Sequence, residues 1–392
     1  MTQLGGIRAV KTSRVLVAGT STRAVAESAA RAGFIVTGLD SFADLDQHPS
    51  VTALAVAGAD NRPARALDLA RASRTVQTDA VVYLSPFENA PAAVGELARG
   101  RTLWGNPRSV LRRARAPVQV MRRMRQRGFP TPSLVPPGQS HVDPSIDWLV
   151  KPRASGGGHG IRRWQRGTTV PPGWYLQEEV HGIPGSVTFV AAGGQCVVLG
   201  VSRQLVGEDA FGASGYRYSG NILVQAGDQA FGDDGRVLAA VQALAAAVVE
   251  EFGLIGVNGV DFVVRDGVPL LIEINPRWTA SMELVERVSG TSVFAAHVRA
   301  CTASSVSPAA VRPSSAAACA GKAVVYATSD VLVRDTRPWL ADPTVRDVPR
   351  PGLRIAVGQP VCTVFATGDG VDACRDALVT RAAAVYAALR RM

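Results

Sequence analysis

The chain has 392 residues, of which 47% are hydrophobic and 19% are charged. This composition provides enough apolar material for more than one packed core and excludes disorder for most of the chain. No apolar run reaches the roughly 20 residues that cross a bilayer, and the apolar stretch after Arg14 is too short for a secretory signal. We therefore expect a cytoplasmic protein without a membrane partner.

The net charge of +10 comes almost entirely from arginine, because only three of the 42 basic residues are lysines. Arginines cluster at residues 108–127, where a solvated helix face is one interpretation and a nearby anionic substrate or nucleotide is another. Aromatic residues are not interleaved there, so we expect no nucleic-acid partner. The five cysteines show no CxxC spacing, which argues against a disulfide framework and a structural zinc site.

Short apolar strands alternate with helical stretches over the first hundred residues. The pattern predicts a doubly wound parallel sheet, and we place this Rossmann-like α/β domain at residues 1–106. The predicted elements are strand 14–19, helix 21–32, strand 34–40, strand 51–57, helix 64–72 and strand 80–85. The turn after the first strand lacks the GxGxxG spacing, so we expect no dinucleotide there.

A Pro- and Gly-rich stretch at residues 128–138 precedes a pattern of hairpins, which predicts an α+β domain over residues 107–320. Its predicted elements are the strands 149–152, 174–179, 186–192, 196–202, 257–264 and 270–275 and the helix 236–252. A low-complexity Ala/Ser/Pro stretch at 302–320 then separates a small α+β piece, residues 321–392. Its predicted elements are the strands 322–327 and 359–366 and the helix 371–391.

Glu273 and Asn275 are two residues apart on a predicted buried strand, so both side chains point to one face. A buried acid needs a partner, and Mg²⁺ prefers carboxylate and amide oxygens together with water and phosphate. The alternative is an acid at a strand end paired with Arg277. Asp261 joins the same face if the preceding hairpin has a three-residue loop, 265–267, which would pair Asp261 with Leu271.

Lys151 ends a predicted strand and is followed by a serine and three glycines, residues 155–158. Glycines allow backbone N–H groups to fold around phosphates, and a lysine provides a compact charge for them. The run lacks the GKS or GKT ending of a Walker A loop.

Further along, an apolar strand leads into two acids and a glycine at 175–182. This pattern fits an interdomain hinge whose backbone reads an adenine edge.

In chain order, KPxxSGGGxG at 151–160, QEEV at 177–180, and VDFV with EINPR at 260–277 resemble the ATP-grasp superfamily. The resemblance covers roughly residues 15–391. The motif SxRA at 21–24, Gly105-Asn106 and GQPVCTV at 358–364 are most similar to predicted ATP-dependent carboligases related to biotin carboxylase. The resemblance implies two α+β subdomains that grip ATP, with the glycine run as a lid.

The resemblance also implies roles for individual residues. These are Lys151, Ser155, Gly156, Gly157, Gly158, Glu178 and Val180 for ATP, Asp261, Glu273 and Asn275 for Mg²⁺, and Arg277 with Lys151 for catalysis. Two positions depart from the family pattern: Pro117 stands where many members have a first phosphate lysine, and Gly185 stands where a carboxylate meets the ribose. Arg115 or another arginine would have to replace that lysine, or the contact is absent.

For the acceptor substrate, Arg203 could bind a carboxylate, and Asn221 lies beside aromatic residues; the alternative is that both are ordinary loop and hairpin residues. The resemblance implies an ATP- and Mg²⁺-dependent carboxylate-amine ligase that forms an acyl phosphate and releases ADP. Its partners would be a small carboxylate and a small amine, and we allow for a homodimer.

The resemblance extends to enzymes that join amines to glutamate in the synthesis of a one-carbon-carrier cofactor, tyramine-glutamate ligase being one. This link is an analogy of fold. The alternatives are a bicarbonate-dependent carboxylase of the biotin carboxylase type and a non-catalytic ATP-binding regulatory or scaffold protein. The absence of an AMKM-like biotinylation segment argues against a self-contained biotin carboxylase.

Overall fold

The structure is a computed structural model that describes residues 13–58, 63–138, 142–225, 228–302, 305–306 and 319–391. Most of the low-complexity stretch predicted at 302–320 lies outside these residues. Within them, none of the helices combines the length and the apolar character that crossing a membrane requires.

The N-terminal part is a five-stranded parallel sheet with strand order β3-β2-β1-β4-β5, which confirms the predicted doubly wound sheet. Its strands are β1 (Arg14–Ala18), β2 (Ile35–Asp40), β3 (Val51–Ala55), β4 (Ala80–Tyr83) and β5 (Thr102–Leu103). The central strands β1 and β4 are almost continuously apolar, as expected for strands covered on both faces. The helices that follow its strands are α1 (Arg23–Arg31), α2 (Ala66–Ala72) and α3 (Pro91–Leu97).

Two short helices, α4 (Arg108–Ala114) and α5 (Pro117–Gln126), connect this sheet to the rest of the chain. Proline at the first turn of α5 has the fixed φ that a helix start needs and no N–H to leave unpaired. A small antiparallel sheet with strand order β6-β9-β7-β8 follows. Its strands are β6 (Leu134–Val135), β7 (Trp148–Pro152), β8 (Arg162–Arg163) and β9 (Trp174–Glu178).

An eight-stranded antiparallel sheet with strand order β14-β13-β10-β11-β12-β15-β19-β17 forms the largest unit. Its first five strands are β10 (Ile183–Ala192), β11 (Gln195–Val206), β12 (Tyr218–Leu223), β13 (Gly256–Arg265) and β14 (Val268–Asn275). The helices between and after them are α6 (Asp234–Phe252), α7 (Met282–Ser289) and α8 (Val293–Thr302).

The longer strands of the C-terminal α+β piece continue this same sheet. Its elements are β15 (Cys319–Tyr326), β16 (Val331–Leu332), β17 (Val345–Arg346), β18 (Arg354–Ile355), β19 (Pro360–Gly368) and α9 (Val371–Arg391). Strand β15 pairs with β12, while β16 and β18 form a separate two-stranded sheet. The predicted boundary at residue 320 therefore falls inside a strand. Its low-complexity signal precedes β15 but marks no break between the sheets.

The two faces of the eight-stranded sheet are buried against different partners. Helices α6 and α9 cover one face, with Val248, Leu244 and Leu378 in a common core. The other face packs against α7, α8 and the N-terminal sheet, where Val190, Phe294 and Val17 share a second core. This second face carries a stretch of polar side chains at its β14 end, and the candidate site lies there.

Candidate active site

The β13–β14 hairpin brings Asp261 opposite Glu273, although the loop prediction that led there is wrong. The loop has two residues, Asp266 and Gly267, both with positive φ, and Arg265 pairs directly with Val268. A two-residue loop alone would place Asp261 and Glu273 on opposite faces. A β-bulge between Asp261 and Phe262 shifts the register by one residue and restores the shared face.

Asp261, Glu273 and Asn275 converge, with Asn275 Nδ2 donating to Asp261 Oδ2 over 2.8 Å. Gln204 Nε2 donates to the other carboxylate oxygen of Asp261 over 2.9 Å. Burial and the neighbouring Glu273 raise the pKa of Asp261 to about 7. The burial of Asp261 and the nearness of Glu273 therefore disfavour its ionised form, and a bound cation would relieve this.

Arg115 lies beside this pair with every N–H group already engaged. Its Nη1 contacts Glu273 Oε1 at 3.2 Å and donates to Ile274 O. Its Nε and Nη2 donate to Asn89 Oδ1, and Nη2 also donates to Ser155 O. These contacts use all five N–H groups of a guanidinium, so Arg115 has none left for a phosphate and does not replace the missing lysine.

Arg277 differs from Arg115 because part of its guanidinium is unengaged. Its Nε donates to Glu88 Oε1 over 2.7 Å, Nη1 donates to Trp278 O, and Nη2 donates to Asn275 Oδ1 over 3.3 Å. Three of its five N–H groups are thus used within the described part of the chain, and one on each terminal nitrogen remains. Arg277 lines the cavity with its planar fork available for an anion.

Lys151, at the end of β7, is buried and donates to Gln177 Oε1 over 3.2 Å. Burial lowers the pKa of its ammonium, and nearby Arg115 adds to this effect while Glu273 and Asp261 oppose it. Among the described residues it forms no ion pair within 4 Å. A buried ammonium bonded only to a neutral amide is poised for an anionic ligand.

The glycine loop, residues 155–160, closes over the site from the small sheet. Tyr218 N donates to Gly157 O over 3.1 Å, which ties the loop to β12. Gly158 has a φ of +76°, and a Cβ there would lie 1.9 Å from Tyr216 O. Only glycine permits both the left-handed backbone and this close approach.

These residues surround a cavity of about 370 Å³ between the four-stranded and the eight-stranded sheet. Most of the predicted site residues line it. They are Lys151, Ser155, Gly156, Gly157, Gly158, Asn221, Asp261, Glu273, Asn275 and Arg277. The structure thus brings together residues from β7, the glycine loop, β12, β13 and β14.

Glu178 and Val180 are not among the residues that line the cavity. The Glu178 carboxylate accepts from Ser133 N over 2.9 Å and pairs with Arg265 at 2.8 Å. Burial raises the pKa of Glu178, but Ser133 N–H and Arg265 outweigh it and hold the pKa below its usual range. The side chain of Glu178 therefore joins β9 to the β13 hairpin.

Arg203 is not in the cavity either. On β11 the neighbouring residue Gln204 bonds Asp261 on the cavity side, so alternation turns Arg203 to the other face. There its guanidinium lies 3.8 Å from Asp372 at the start of α9. The expectation that Arg203 binds a substrate carboxylate is therefore corrected, because the register puts it one residue out of phase.

Asn221 is buried between polar neighbours in the cavity wall. Its Nδ2 donates to Ser202 Oγ over 2.8 Å, and Tyr218 OH donates to its Oδ1. A bulge in the β11–β12 pairing lets Tyr218 and Asn221, three residues apart, reach each other. This end of the cavity is lined by hydroxyl and amide groups.

Gly185 stands where the family pattern has a carboxylate side chain that contacts the ribose, and its surroundings leave no room for a side chain. A Cβ at this position would lie 2.5 Å from Phe262 Cζ. Pro117 lines the cavity at the start of α5. Pro117 therefore changes the wall of the site, whereas Gly185 lies outside the cavity lining and is packed against the core residue Phe262.

The sequence reasoning missed three contributors, Ser85, Glu88 and Asn89, which all follow β4. Ser85 lines the cavity, Glu88 pairs with Arg277, and Asn89 bonds Arg115. No motif marks them, since their role depends on tertiary contacts. Their position after a central parallel strand was the available signal, because ligands of such sheets bind at the carboxyl ends of strands.

The residues present fit a magnesium ion. Two adjacent carboxylates and an amide oxygen are hard oxygen ligands, and Mg²⁺ completes its shell with water and phosphate. Among the described residues, no group of three or more His, Cys, Asp or Glu side chains could hold a metal. A site with two carboxylates and one amide suits an ion that is bound together with its nucleotide.

The family model of the ATP-grasp domain matches residues 117–281. An uncharacterized protein of Methanocaldococcus jannaschii is 24% identical over 119 residues, which are 30% of this chain and 28% of that protein. The match thus spans less than a third of the length of this curated relative. It carries no information on activity.

Solved structures resemble the chain over nearly its whole length. An L-amino acid ligase from Bacillus licheniformis has a TM-score of 0.67 at 17% identity, covering 94% of this chain and 97% of that one. N5-carboxyaminoimidazole synthetase from Staphylococcus aureus, complexed with ADP, has a TM-score of 0.68 at 13% identity, covering 94% and 97%. The biotin carboxylase domain of the Hydrogenobacter thermophilus 2-oxoglutarate carboxylase, complexed with MgADP, ADP and bicarbonate, has a TM-score of 0.68 at 15% identity, covering 93% and 89%.

These likenesses establish the fold, and the matched domain contains most of the cavity-lining residues. They confirm the predicted fold class and the resemblance from which an ATP-dependent ligase was expected. The ADP- and MgADP-bound neighbours agree with the expected cofactors. Residues 117–281 thus match the ATP-grasp domain, and the whole chain shares the fold of these neighbours.

Proposed function

We propose that this protein is an ATP- and Mg²⁺-dependent carboxylate-amine ligase that works through an acyl phosphate and releases ADP. The observation that carries the proposal is the convergence on one cavity of two adjacent carboxylates, of which only Glu273 has an arginine partner, with a buried lysine and a partly unengaged arginine. Nucleotide phosphates with a bound cation match this charge arrangement.

The reaction has two steps. The γ-phosphoryl group passes from ATP to a carboxylate oxygen of the acid, which forms an acyl phosphate and ADP. The amine then attacks the acyl carbon, a C–N bond forms, inorganic phosphate leaves, and the amine proton goes to solvent. No side-chain nucleophile is needed, so the protein contributes position and electrostatics.

Lys151 and the glycine loop suit the ATP phosphates, because the loop presents backbone groups beside a compact positive charge. Arg277 follows the metal ligands directly and has two N–H groups free for the transferred phosphoryl group or the acid. Asp261, Glu273 and Asn275 would hold the Mg²⁺. When bound, this ion neutralises phosphate charge.

Product analysis tests the proposal. Purified protein is incubated with Mg·ATP, a panel of carboxylic acids and hydroxylamine as a surrogate amine, and the nucleotide products are separated. We expect a hydroxamate and one ADP per turnover, and an Asp261→Asn variant as the negative control should form neither. AMP with pyrophosphate would mean an acyl adenylate and would contradict the mechanism.

A bicarbonate-dependent carboxylase is the second candidate, because two of the structural neighbours are a carboxyaminoimidazole synthetase and a biotin carboxylase domain. In that case ADP release would require bicarbonate and would not require an added organic acid. ATP binding without turnover in any mixture would instead favour the non-catalytic interpretation.

The substrates stay a proposal that rests on the resemblance alone. We include glutamate with tyramine among the acid and amine pairs, because ligases of this kind take part in the synthesis of one-carbon-carrier cofactors. Turnover with this pair, above that with other pairs, would support the biosynthetic role. Turnover only with other pairs would remove it without affecting the proposed reaction type.

A further inference from the structure

The N-terminal domain reaches the ATP-grasp site through the loop that follows β4, residues 85–89. Ser85 lines the cavity, and the next polar side chains of the loop contact the two arginines described above. In this sheet the strand order changes direction between β1 and β4, and the loop leaves the carboxyl end of β4. Such a switch point is where doubly wound sheets present functional loops.

Glu88 is completely buried and bonds the guanidinium of Arg277 at 2.7 Å. Its second carboxylate oxygen has no hydrogen-bond partner among the described residues. Burial raises the pKa of Glu88, but Arg277 and Arg115 outweigh burial and hold the pKa below its usual range. A buried carboxylate with one oxygen that accepts no hydrogen bond is costly for folding. Its role in positioning Arg277 would explain why Glu88 is present here.

The Glu88 contact also determines which part of Arg277 faces the cavity. It occupies Nε, while Trp278 O takes one N–H of Nη1 and Asn275 Oδ1 takes one of Nη2. The guanidinium plane is thus held from three sides. The remaining N–H groups lie on the two terminal nitrogens, which is the arrangement that bidentate binding of a phosphoryl or carboxyl group requires.

Asn89 acts on the glycine loop in two ways. Its Nδ2 donates to Ser155 O over 3.2 Å, and its Oδ1 accepts from Nε and Nη2 of Arg115. Arg115 in turn donates to Ser155 O over 3.1 Å and contacts Glu273. Asn89 therefore links the start of the glycine loop, through Arg115, to Glu273 on β14.

We propose that the 85–89 loop is a working part of the active site, in which Glu88 is the positioning residue for Arg277 and Asn89 holds the glycine loop through Ser155 and Arg115. This inference gives the N-terminal domain a function in phosphate recognition. The part of the inference that concerns nucleotide affinity rests on the proposed function. The part that concerns the mobility of the glycine loop does not.

The test uses the variants Glu88→Gln and Asn89→Ala in the full chain. Glu96→Gln is the matched control, because Glu96 is an N-terminal-domain carboxylate that pairs with Arg74 and Arg99 away from the cavity. Calorimetry measures the affinities for Mg·ATP and Mg·ADP. Hydrogen exchange of the nucleotide-free protein measures protection at residues 153–161, and circular dichroism confirms that each variant is folded.

We expect Glu88→Gln to weaken Mg·ATP binding about tenfold, the scale of a lost charged hydrogen bond, with a much smaller change for Mg·ADP. Asn89→Ala should speed exchange in the glycine loop severalfold, and Glu96→Gln should change neither readout. If the folded Glu88 and Asn89 variants behave like Glu96→Gln in both readouts, the inference is wrong. If the unsubstituted chain binds no nucleotide, the proposed function fails, and exchange in the Asn89→Ala variant alone decides the inference.

Discussion

Two regions of this protein bury several charges, and they differ in how those charges are balanced. The first is the cavity around Asp261 and Glu273. The second, which we call the interdomain ion cluster, consists of Arg23, Asp46, Glu283, Lys322 and Asp347. In the cluster, Arg23 pairs with Glu283 at 2.8 Å and with Asp347 at 2.7 Å, and Lys322 pairs with Glu283 at 2.6 Å.

The buried lysines Lys151 and Lys322 also differ in whether their charge is paired. Lys322 in the ion cluster has a carboxylate partner, whereas Lys151 in the cavity donates only to the amide of Gln177. The carboxylates differ as well, since burial and Glu273 raise the pKa of Asp261 to about 7. Burial acts on Glu283 too, but Arg23 and Lys322 outweigh it and hold the pKa of Glu283 well below its usual range. In the ion cluster the opposite charges are paired with one another, whereas Lys151 and Asp261 beside the cavity have no partner of opposite charge within 4 Å among the described residues, as the proposed binding of Mg·ATP requires.

The largest expected effect follows replacement of the partly unengaged arginine. Arg277→Ala should lower ADP release by about 10²–10³-fold, the scale of a lost electrostatic contact to developing charge. The midpoint of thermal unfolding should change little in comparison. Arg277→Lys, which keeps the charge but not the fork, should recover only part of the activity. Full activity in Arg277→Ala would place this arginine with the structural charges of the ion cluster.

Replacement of Glu283 should have the opposite profile. Glu283→Gln leaves Lys322 without its carboxylate and Arg23 with one partner fewer, so the free energy of unfolding should fall by about 3 kcal/mol. Chemical denaturation measures this loss. Mg·ATP affinity of the folded variant should stay within about twofold, below the tenfold that 1.4 kcal/mol represents. An unchanged free energy of unfolding would mean that the cluster does not stabilise the fold.

The two buried lysines provide a matched pair of variants. Lys151→Met should weaken Mg·ATP binding by about tenfold or more while the protein stays folded, because a charged phosphate contact is lost. Lys322→Met should lower stability with little effect on nucleotide affinity. Calorimetry and thermal unfolding separate the two results. Equal nucleotide affinity in both variants would remove Lys151 from the proposed phosphate site.

The free energy of unfolding should fall at acid pH because of the ion cluster. The folded-state pKa of Glu283 is depressed, so its contribution is complete above its unfolded pKa of about 4.3 and declines as pH falls below it. Asp347, whose pKa Arg23 lowers against the effect of burial, acts in the same direction. Asp46 opposes them in part, because burial raises its pKa and its protonation on acidification therefore favours the folded state. Denaturant unfolding between pH 6 and pH 3 should show a steep loss that is shallower in Glu283→Gln. Equal slopes in both proteins would contradict this assignment.

The smallest expected effect concerns the glycine loop. Three consecutive glycines have high chain entropy, which phosphate contacts would reduce further than the existing bond to Tyr218 N does. Hydrogen exchange at residues 155–160 should slow when Mg·ATP is added. The ion cluster around Arg23 should exchange at the same rate with and without nucleotide. Equal protection of the loop in both states would argue against closure on the phosphates.

Local chemistry was readable from the sequence, because the strand ends carrying Lys151, Glu273 and Asn275 also carry their motifs. The register was harder to read. Asp261 reaches Glu273 through a bulge that no residue type announces, and Arg203 was misplaced because one residue of phase reverses a strand's faces.

Contacts between distant segments of the chain could not be predicted from the sequence. Glu88 and Asn89 act on arginines far along the chain or across the fold, and nothing in their local sequence encodes those partners. The five donors of Arg115 could be counted only once the structure had placed their acceptors.

Magnesium-dependent nucleotide binding tests most directly whether the adjacent carboxylates of Asp261 and Glu273 form a ligand site. Calorimetry would measure ATP binding to the unsubstituted protein and to the Asp261→Asn/Glu273→Gln double variant, each with and without Mg²⁺. We expect Mg²⁺ to increase the ATP affinity of the unsubstituted protein by at least about tenfold and to have little effect on the folded double variant. The same dependence on Mg²⁺ in both proteins would contradict the account.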